Sequence, residues 1–401
     1  MKYLIVLGDG MADRPGSVLG NKTPLEVASI PNMDMLASKG ELGRVKTIPH
    51  GMKPGSDIAN LSVLGFDPVK YYTGRSPLEA LAIGVNLRDT DVAIRTNLVT
   101  LSDDEPFEKK VMVDYSAGEI TTKEAHDIME TIQKELGNDE YTFYSGVSYR
   151  HCLVSARNGL KTVFTPPHDI AGELVEKKLP TGVGCNDFIT LIKKSGEILK
   201  NHPVNKRRER AGENKATHLW FWGAGTKPSL PSFYDKYGLN GGVVSAVDLL
   251  KGIGIGTGMI TPNVLGATGT IYTNWDGKIN MAKSLFENGV DFVFIHLEAP
   301  DEAGHQGNAS LKIQAIERVD YVVGEMYEYL QEREEPFKMA VLPDHATPLI
   351  LKTHSSEAIP YIIYNSEKEF KKVSKYTERE ALNGRMLASG ERFMERFLRK
   401  N

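Results

Sequence analysis

Cysteine is scarce: Cys152 and Cys185 are the only two in 401 residues, and they form no CxxC pair. That scarcity excludes a disulfide framework and a cysteine-built zinc ribbon, and it fits a reducing cytoplasm. An excess of charge of either sign is missing too, since 48 basic residues against 52 acidic ones leave a net charge of -4. Such a chain has no bulk attraction to nucleic acid or to an anionic membrane, so a small molecule is the expected partner. No apolar run approaches the roughly 18 residues that a bilayer span needs. The opening MKYLIVLGDGMAD breaks its run at Gly8, too soon for a signal-peptide core, so no targeting segment is expected and a cytoplasmic location is. Tandem repeats and low-complexity tracts are also lacking, and nothing in the sequence sets an oligomeric state.

What is present is ordinary globular text, 41% hydrophobic and 25% charged, long enough for two domains that each bury a core. Three segments share one plan, an apolar β-branched run of strand length followed at once by acidic residues. They are YLIVLGDG with Asp9, DFVFIHLEAPDEAGH with Asp301 and His305, and FKMAVLPDHATP with Asp344 and His345. Runs without alternation read as strands buried on both faces, the mark of a parallel sheet. Helical text lies between them, as in SLKIQAIERVDYVVGEMYEYL, where Ile313, Ile316, Val319, Val323, Met326 and Leu330 recur at helical spacing. The expected fold class is therefore α/β, a mostly parallel sheet sandwiched by helices.

In an open parallel sheet the binding crevice lies at the carboxyl ends of the strands, where these acidic residues fall. Neighbours inside a strand point to opposite faces, so Asp344 and His345 can share one object only if the strand has ended, and Pro343 marks that end. Carboxylate beside imidazole is metal-ligand vocabulary; Asp301 and His305 repeat it, and His354 follows nearby. An aspartate after a strand is by default a turn former or cap, but three strand ends carrying such residues shift the balance to a metal site. Mixed oxygen and nitrogen donors suit manganese or zinc better than magnesium.

KPGSDIANLSVLG puts Gly55 and Ser56 before a helix-like stretch. Alone, Ser56 reads as an N-cap; beside a metal its hydroxyl could ionise into a nucleophile, and the helix N-terminus would then favour a phosphate on it. Two other stretches read as loops. KGIGIGTGM does not match G-x-G-x-x-G and follows helical text, and NKRRERAGENK, residues 205 to 215, is a short basic run. Gly277-Lys278 is followed by Ile279, so no Walker loop exists.

With Asp9, Ser56, Asp301, His305, Asp344, His345 and His354 in that order, the chain resembles the alkaline phosphatase superfamily. More closely it resembles the archaeal-type branch of the cofactor-independent phosphoglycerate mutases, through LGDGMADRP, KTPLEVASIPNMDMLASKGELG, KPGSDIANLSVLGFDPVKYYTGRSPLEALAIG, IRTNLVTL, HPVN, DEAGHQGN and PDHATP. The resemblance implies two divalent metal ions, manganese first, with zinc, cobalt or magnesium as alternatives. One would be held by Asp301, His305 and His354, the other by Asp9, Ser56, Asp344 and His345. It also implies that a smaller α+β domain is inserted as a substrate-binding lid. The insert is placed at residues 87–217, because strand text resumes at HLWFWGAG, and residues 1–86 with 218–401 form the metal-binding domain.

A phosphorylated carboxylic acid needs cations, and bidentate arginine suits both of its anionic groups. Arg75, Arg95, Arg150 and Lys251 stand where the resemblance places basic residues, and Asp57 and Asn60, flanking the nucleophile, are assigned to substrate hydroxyls. FTPPHD departs from the more acidic text expected of the family before its Pro-His pair. The implied activity is interconversion of 3-phosphoglycerate and 2-phosphoglycerate through a phosphoserine at Ser56. The alternatives are a homoserine kinase-like phosphotransferase and a metal-dependent phosphate or phosphonate hydrolase.

Overall fold

In the computed structural model, which describes residues 1–157, 160–368, 370 and 375–399, the apolar run at the amino terminus becomes an inner strand of a seven-stranded sheet. The strands in chain order are β1 (Lys2–Gly8), β2 (Glu41–Val45), β3 (Gly241–Val244), β4 (Phe292–Leu297), β5 (Phe337–Leu342), β6 (Ile359–Asn365) and β7 (Arg385–Leu387). Their order in space is β3-β4-β1-β5-β6-β2-β7, with β6 antiparallel to both its neighbours and every other pairing parallel. β1, β4 and β5 are buried along almost their whole length, as their unalternating text requires. Register then aligns their ends: Gly8 lies opposite Leu297, and Leu7 opposite Leu342. Residues just beyond these three strands emerge together at one rim.

Helix Ala309–Glu332 covers the sheet with the stripe that the sequence shows, Ile316, Val319, Val323, Met326 and Leu330 joining Leu4, Val6, Val293, Ile295, Met339 and Val341 in one core. Burying such side chains contributes about 1.5–3 kcal/mol each. Lys312, on the same helix, is buried as well; its Nζ donates to Ala12 O, Asp13 Oδ2 and Thr347 O at 3.2, 2.8 and 2.7 Å. Three acceptors satisfy all three ammonium protons and tie the loop after β1 to the loop after β5.

The chain divides into two units, Met1–Tyr72 with Ser229–Asn401, and Thr73–Pro228. The second has its own antiparallel sheet, ordered Met112–Asp114, Val92–Leu101, Arg150–Ser155 and Tyr141–Tyr144, with His218–Thr226 paired to the other edge of Val92–Leu101. Helices Thr122–Leu136 and Cys185–Leu199 bury Ile128, Ile132, Phe188 and Ile192 against Ile94, Leu98, Leu153 and Phe221. A Thr121–Glu124 capping box starts the first of these helices. The sequence reading puts HLWFWGAG in the first unit and ends the insert at 217. In the structure that strand belongs to the second unit, because its ladder partner is Val92–Leu101.

Two stretches read as loops are partly helical. KGIGIGTGM begins inside helix Asp248–Gly256, and a Cβ at Gly254 would lie 2.4 Å from Thr261 Cγ2 and 3.2 Å from Val243 Cγ2, so that glycine serves close packing. The basic run carries helix Pro203–Arg210, whose Arg208 is buried and donates to Ala117 O, Asn214 O and Glu124. Among the described residues no helix is long and apolar enough to cross a membrane.

Candidate metal centre and nucleophile

Asp9 follows β1, Asp344 and His345 follow β5, and these three place one donor atom each within 4.8 Å of one another. Asp344 is pinned by backbone N–H groups of Gly10 (3.1 Å) and His345 (2.8 Å) on Oδ1 and by Asn60 Nδ2 (2.9 Å) on Oδ2. Its Oδ2 and Asp9 Oδ1 lie 3.3 and 3.6 Å from His345 Nε2. Asp301, His305 and His354 form a second group of the same compactness. Asp301 and His305 sit on the short helix Ala299–Gln306 that continues from β4, and their spacing of one helical turn puts both on one face.

Ser56 opens helix Ser56–Val63, whose N-cap is Gly55, so the hydroxyl does not cap. It lies 3.1 Å from His345 Nε2 instead. The seven residues read from the sequence as nucleophile and ligands converge at one rim, and the His345 and His354 rings are 4.1 Å apart. Thr347 joins the two groups: its hydroxyl donates to Asp301 Oδ1 and lies 3.3 Å from His345 Nδ1.

The donors fit a divalent cation on several counts. Asp9 Oδ1 is buried with no hydrogen-bond partner, which is costly unless a cation takes it. Burial, then the carboxylates of Asp344 and Asp301, push the Asp9 pKa well above its usual range. His305 Nδ1 lies 3.0 Å from Lys352 O and His354 Nδ1 3.4 Å from Pro54 O, while their two Nε2 atoms face each other at 2.9 Å. Imidazoles fixed from behind by carbonyls with converging front nitrogens form a ligand set. Burial opposes ionisation of Asp301, but hydrogen bonds from His305 and His354 outweigh it and hold that carboxyl well below its ordinary value. Gly10 has φ +60, and a Cβ there would lie 2.5 Å from both Asp301 Oδ1 and Thr347 Oγ1, so only glycine fits under the second group.

The remaining site residues divide. Asn60, fully buried, donates its Nδ2 to Ser56 O (2.8 Å) and Asp344 Oδ2, so it ties Ser56 to Asp344, while its Oδ1 is buried with no hydrogen-bond partner. Asp57 Oδ2 accepts from Tyr72 OH, and Oδ1 from Ile58 N. Lys251 Nζ donates to Asn263 Oδ1 at 2.9 Å. In the second unit Glu79 bridges Arg75 (2.7 Å) and Arg95 (2.9 Å), the Arg95 guanidinium carbon lies over the Trp222 ring, 4.0 Å from its centroid, and exposed Arg150 lies over Tyr149. Burial lowers the Arg95 pKa to about 10, with Glu79 opposing. The sequence reading missed Glu79, Trp222, Thr347 and His296, whose Nε2 lies 2.9 Å from Asp9 Oδ2. For Glu79 the signal is visible afterwards, an i, i+4 partner of Arg75.

Residues 37–205 match the family model described as 2,3-bisphosphoglycerate-independent phosphoglycerate mutase, and residues 186–358 the one described as type I phosphodiesterase / nucleotide pyrophosphatase. The second stretch contains all five candidate ligands from Asp301 to His354. A Methanosarcina barkeri protein named 2,3-bisphosphoglycerate-independent phosphoglycerate mutase is 47% identical over 92% of this chain and 91% of its own length. A Pyrococcus horikoshii protein of solved structure superposes with TM-score 0.81 at 30% identity, covering 99% of this chain and 97% of that one. The cofactor-independent phosphoglycerate mutase of Thermoplasma acidophilum does so with TM-score 0.65 at 28% identity, covering 99% of each chain.

Proposed function

Since the chain belongs to the 2,3-bisphosphoglycerate-independent phosphoglycerate mutase family and so interconverts 3- and 2-phosphoglycerate, we propose that Ser56 carries the phosphoryl group from one hydroxyl to the other. The observation that supports this most is the Ser56 hydroxyl, at the start of a helix and 3.1 Å from His345 Nε2, a member of one of the two donor groups. Asp301, His305 and His354 would hold one divalent cation, and Asp9, Asp344, His345 and Ser56 the other, with manganese as our first assignment and zinc, cobalt or magnesium behind it. When bound, such cations neutralise phosphoryl oxygens and acidify a neighbouring hydroxyl.

The chain's own residues do the rest. Ser56 Oγ attacks phosphorus in line; the Oγ–P bond forms as the bond from phosphorus to the substrate oxygen breaks, and the serine proton ends on the departing glycerate hydroxyl. The second hydroxyl of glycerate then attacks the phosphoserine, Ser56 leaves, and a proton returns to it. The N-terminal turn of helix Ser56–Val63 favours the added negative charge, while Asn60 keeps the serine backbone and Asp344 in fixed relation. Arg75, Arg95 and Arg150 are assigned to the anionic groups of the substrate, as is Lys251. Exclusion of water, without which phosphoserine would hydrolyse, is the task this reading gives to the inserted unit.

The test is purified, manganese-loaded protein supplied with 3-phosphoglycerate and no bisphosphoglycerate. Formation of 2-phosphoglycerate supports the reading. Net release of inorganic phosphate, or phosphohomoserine from homoserine and ATP in place of 2-phosphoglycerate, contradicts it.

A further inference from the structure

His296 stands inside β4, fully buried in text that otherwise reads as core, Phe292–Leu297. Its strand position faces Leu7, two residues before Asp9. The protons around it can be assigned one by one. The Val247 N–H donates to Ser245 Oγ at 3.0 Å, so the serine's own proton is free for another acceptor, and His296 Nδ1 lies 3.2 Å away. An imidazole that accepts at Nδ1 carries its proton on Nε2. Nε2 is 2.9 Å from Asp9 Oδ2, while Asp9 Oδ1 is buried and has no partner. Lys278 Nζ, also buried, donates to the His296 carbonyl at 3.2 Å and fixes the backbone from which the ring hangs.

We propose that Ser245 and His296 form a relay of donors that sets the rotation of Asp9, holding Oδ2 back so that Oδ1 is presented to the cation shared with Asp344 and His345. Both are positioning residues, acting through Asp9 and touching neither substrate nor cation. The inference rests on the metal reading above and extends it one layer outward, where such partners govern the affinity of a site. A histidine that merely fills the core would need no ordered tautomer and would leave metal affinity unmoved.

Two measurements test it without using activity. Nitrogen-15 NMR of histidine-labelled, metal-free protein should show the His296 proton on Nε2, with Nδ1 bare; in Ser245→Ala the ring should lose this single-tautomer signature. Calorimetric titration of metal-free protein with manganese should show two sites in the wild type. In His296→Leu one of them should weaken about 10- to 100-fold, whereas His296→Gln, whose amide can still donate toward Asp9 Oδ2, should recover most of that loss. A wild-type His296 protonated on Nδ1, or a His296→Leu protein that folds and binds manganese at both sites as tightly as wild type, overturns the relay and leaves the metal reading standing. Failure of the wild type to bind manganese, zinc or cobalt overturns both.

Discussion

Replacing Asn60 with leucine separates two roles that a residue beside a nucleophile can have. The side chain is fully buried, and its amide donates to Ser56 O at 2.8 Å and Asp344 Oδ2 at 2.9 Å. Leucine is close in shape, so the main losses are these two bonds. The bond to a buried carboxylate is worth about 1.5–3 kcal/mol and the one to a carbonyl about 0.5–1.5 kcal/mol. The sum, roughly 2–4.5 kcal/mol, is large against a domain stability of about 5–15 kcal/mol but should leave the protein folded. Together they tie the Ser56 peptide to the carboxylate proposed as a metal ligand; if about half of the loss is felt in the transition state, kcat falls about 5- to 40-fold. KM for 3-phosphoglycerate should stay near wild type. Urea unfolding gives the first quantity, and an enolase-coupled assay of manganese-loaded enzyme gives the second. Unchanged stability and kcat with a raised KM would refute this reasoning and restore Asn60 to the substrate's hydroxyls.

Further outcomes are expected from the same geometry. Gly10→Ala places a Cβ within 2.5 Å of Asp301 Oδ1 at φ +60; a left-handed alanine costs about 1–2 kcal/mol, and displacement of Asp301 should weaken metal binding in calorimetry by about tenfold or more. Arg95→Lys keeps the charge but loses the planar face over Trp222, so KM for 3-phosphoglycerate should rise several-fold in steady-state kinetics while metal content stays constant. Burial, then the charges of Arg150 and His126, lower the His151 pKa to about 3. Below the unfolded value of about 6.5 the unfolded chain therefore binds a proton that the folded one refuses. Wild type should then lose stability relative to His151→Gln by about 1.4 kcal/mol per pH unit as pH falls below about 6.5 toward about 3, measured by denaturant unfolding at several pH values.

Much of the site is legible in the sequence because Asp9, Asp301, Asp344 and His345 stand where an apolar run stops or just beyond it. The ends of β1, β4 and β5 are visible as text, and parallel register does the rest, bringing Asp9, Asp301 and Asp344 to one rim. What escapes is of two kinds. His296 and Lys312 lie inside a strand and a helix whose neighbours are core residues, and a single polar residue in an apolar run has no spacing partner to reveal it. The pairing of His218–Thr226 with Val92–Leu101 joins segments more than a hundred residues apart, and nothing local says which sheet a hydrophobic strand will enter. The glycines of KGIGIGTGM look like a loop for a related reason: Gly254 is small because Thr261 and Val243 press on it, a tertiary cause invisible in one dimension.

The central claim is that Ser56 holds the phosphoryl group midway through the reaction. Manganese-loaded enzyme mixed with 3-phosphoglycerate, quenched in acid within a turnover and digested for mass spectrometry, measures this directly. The expected result is one added phosphoryl group on the peptide containing Ser56, absent from Ser56→Ala, which should also lack mutase activity. A competent mutase that shows no phosphorylated Ser56 under these conditions, or that keeps its rate in Ser56→Ala, would contradict the account.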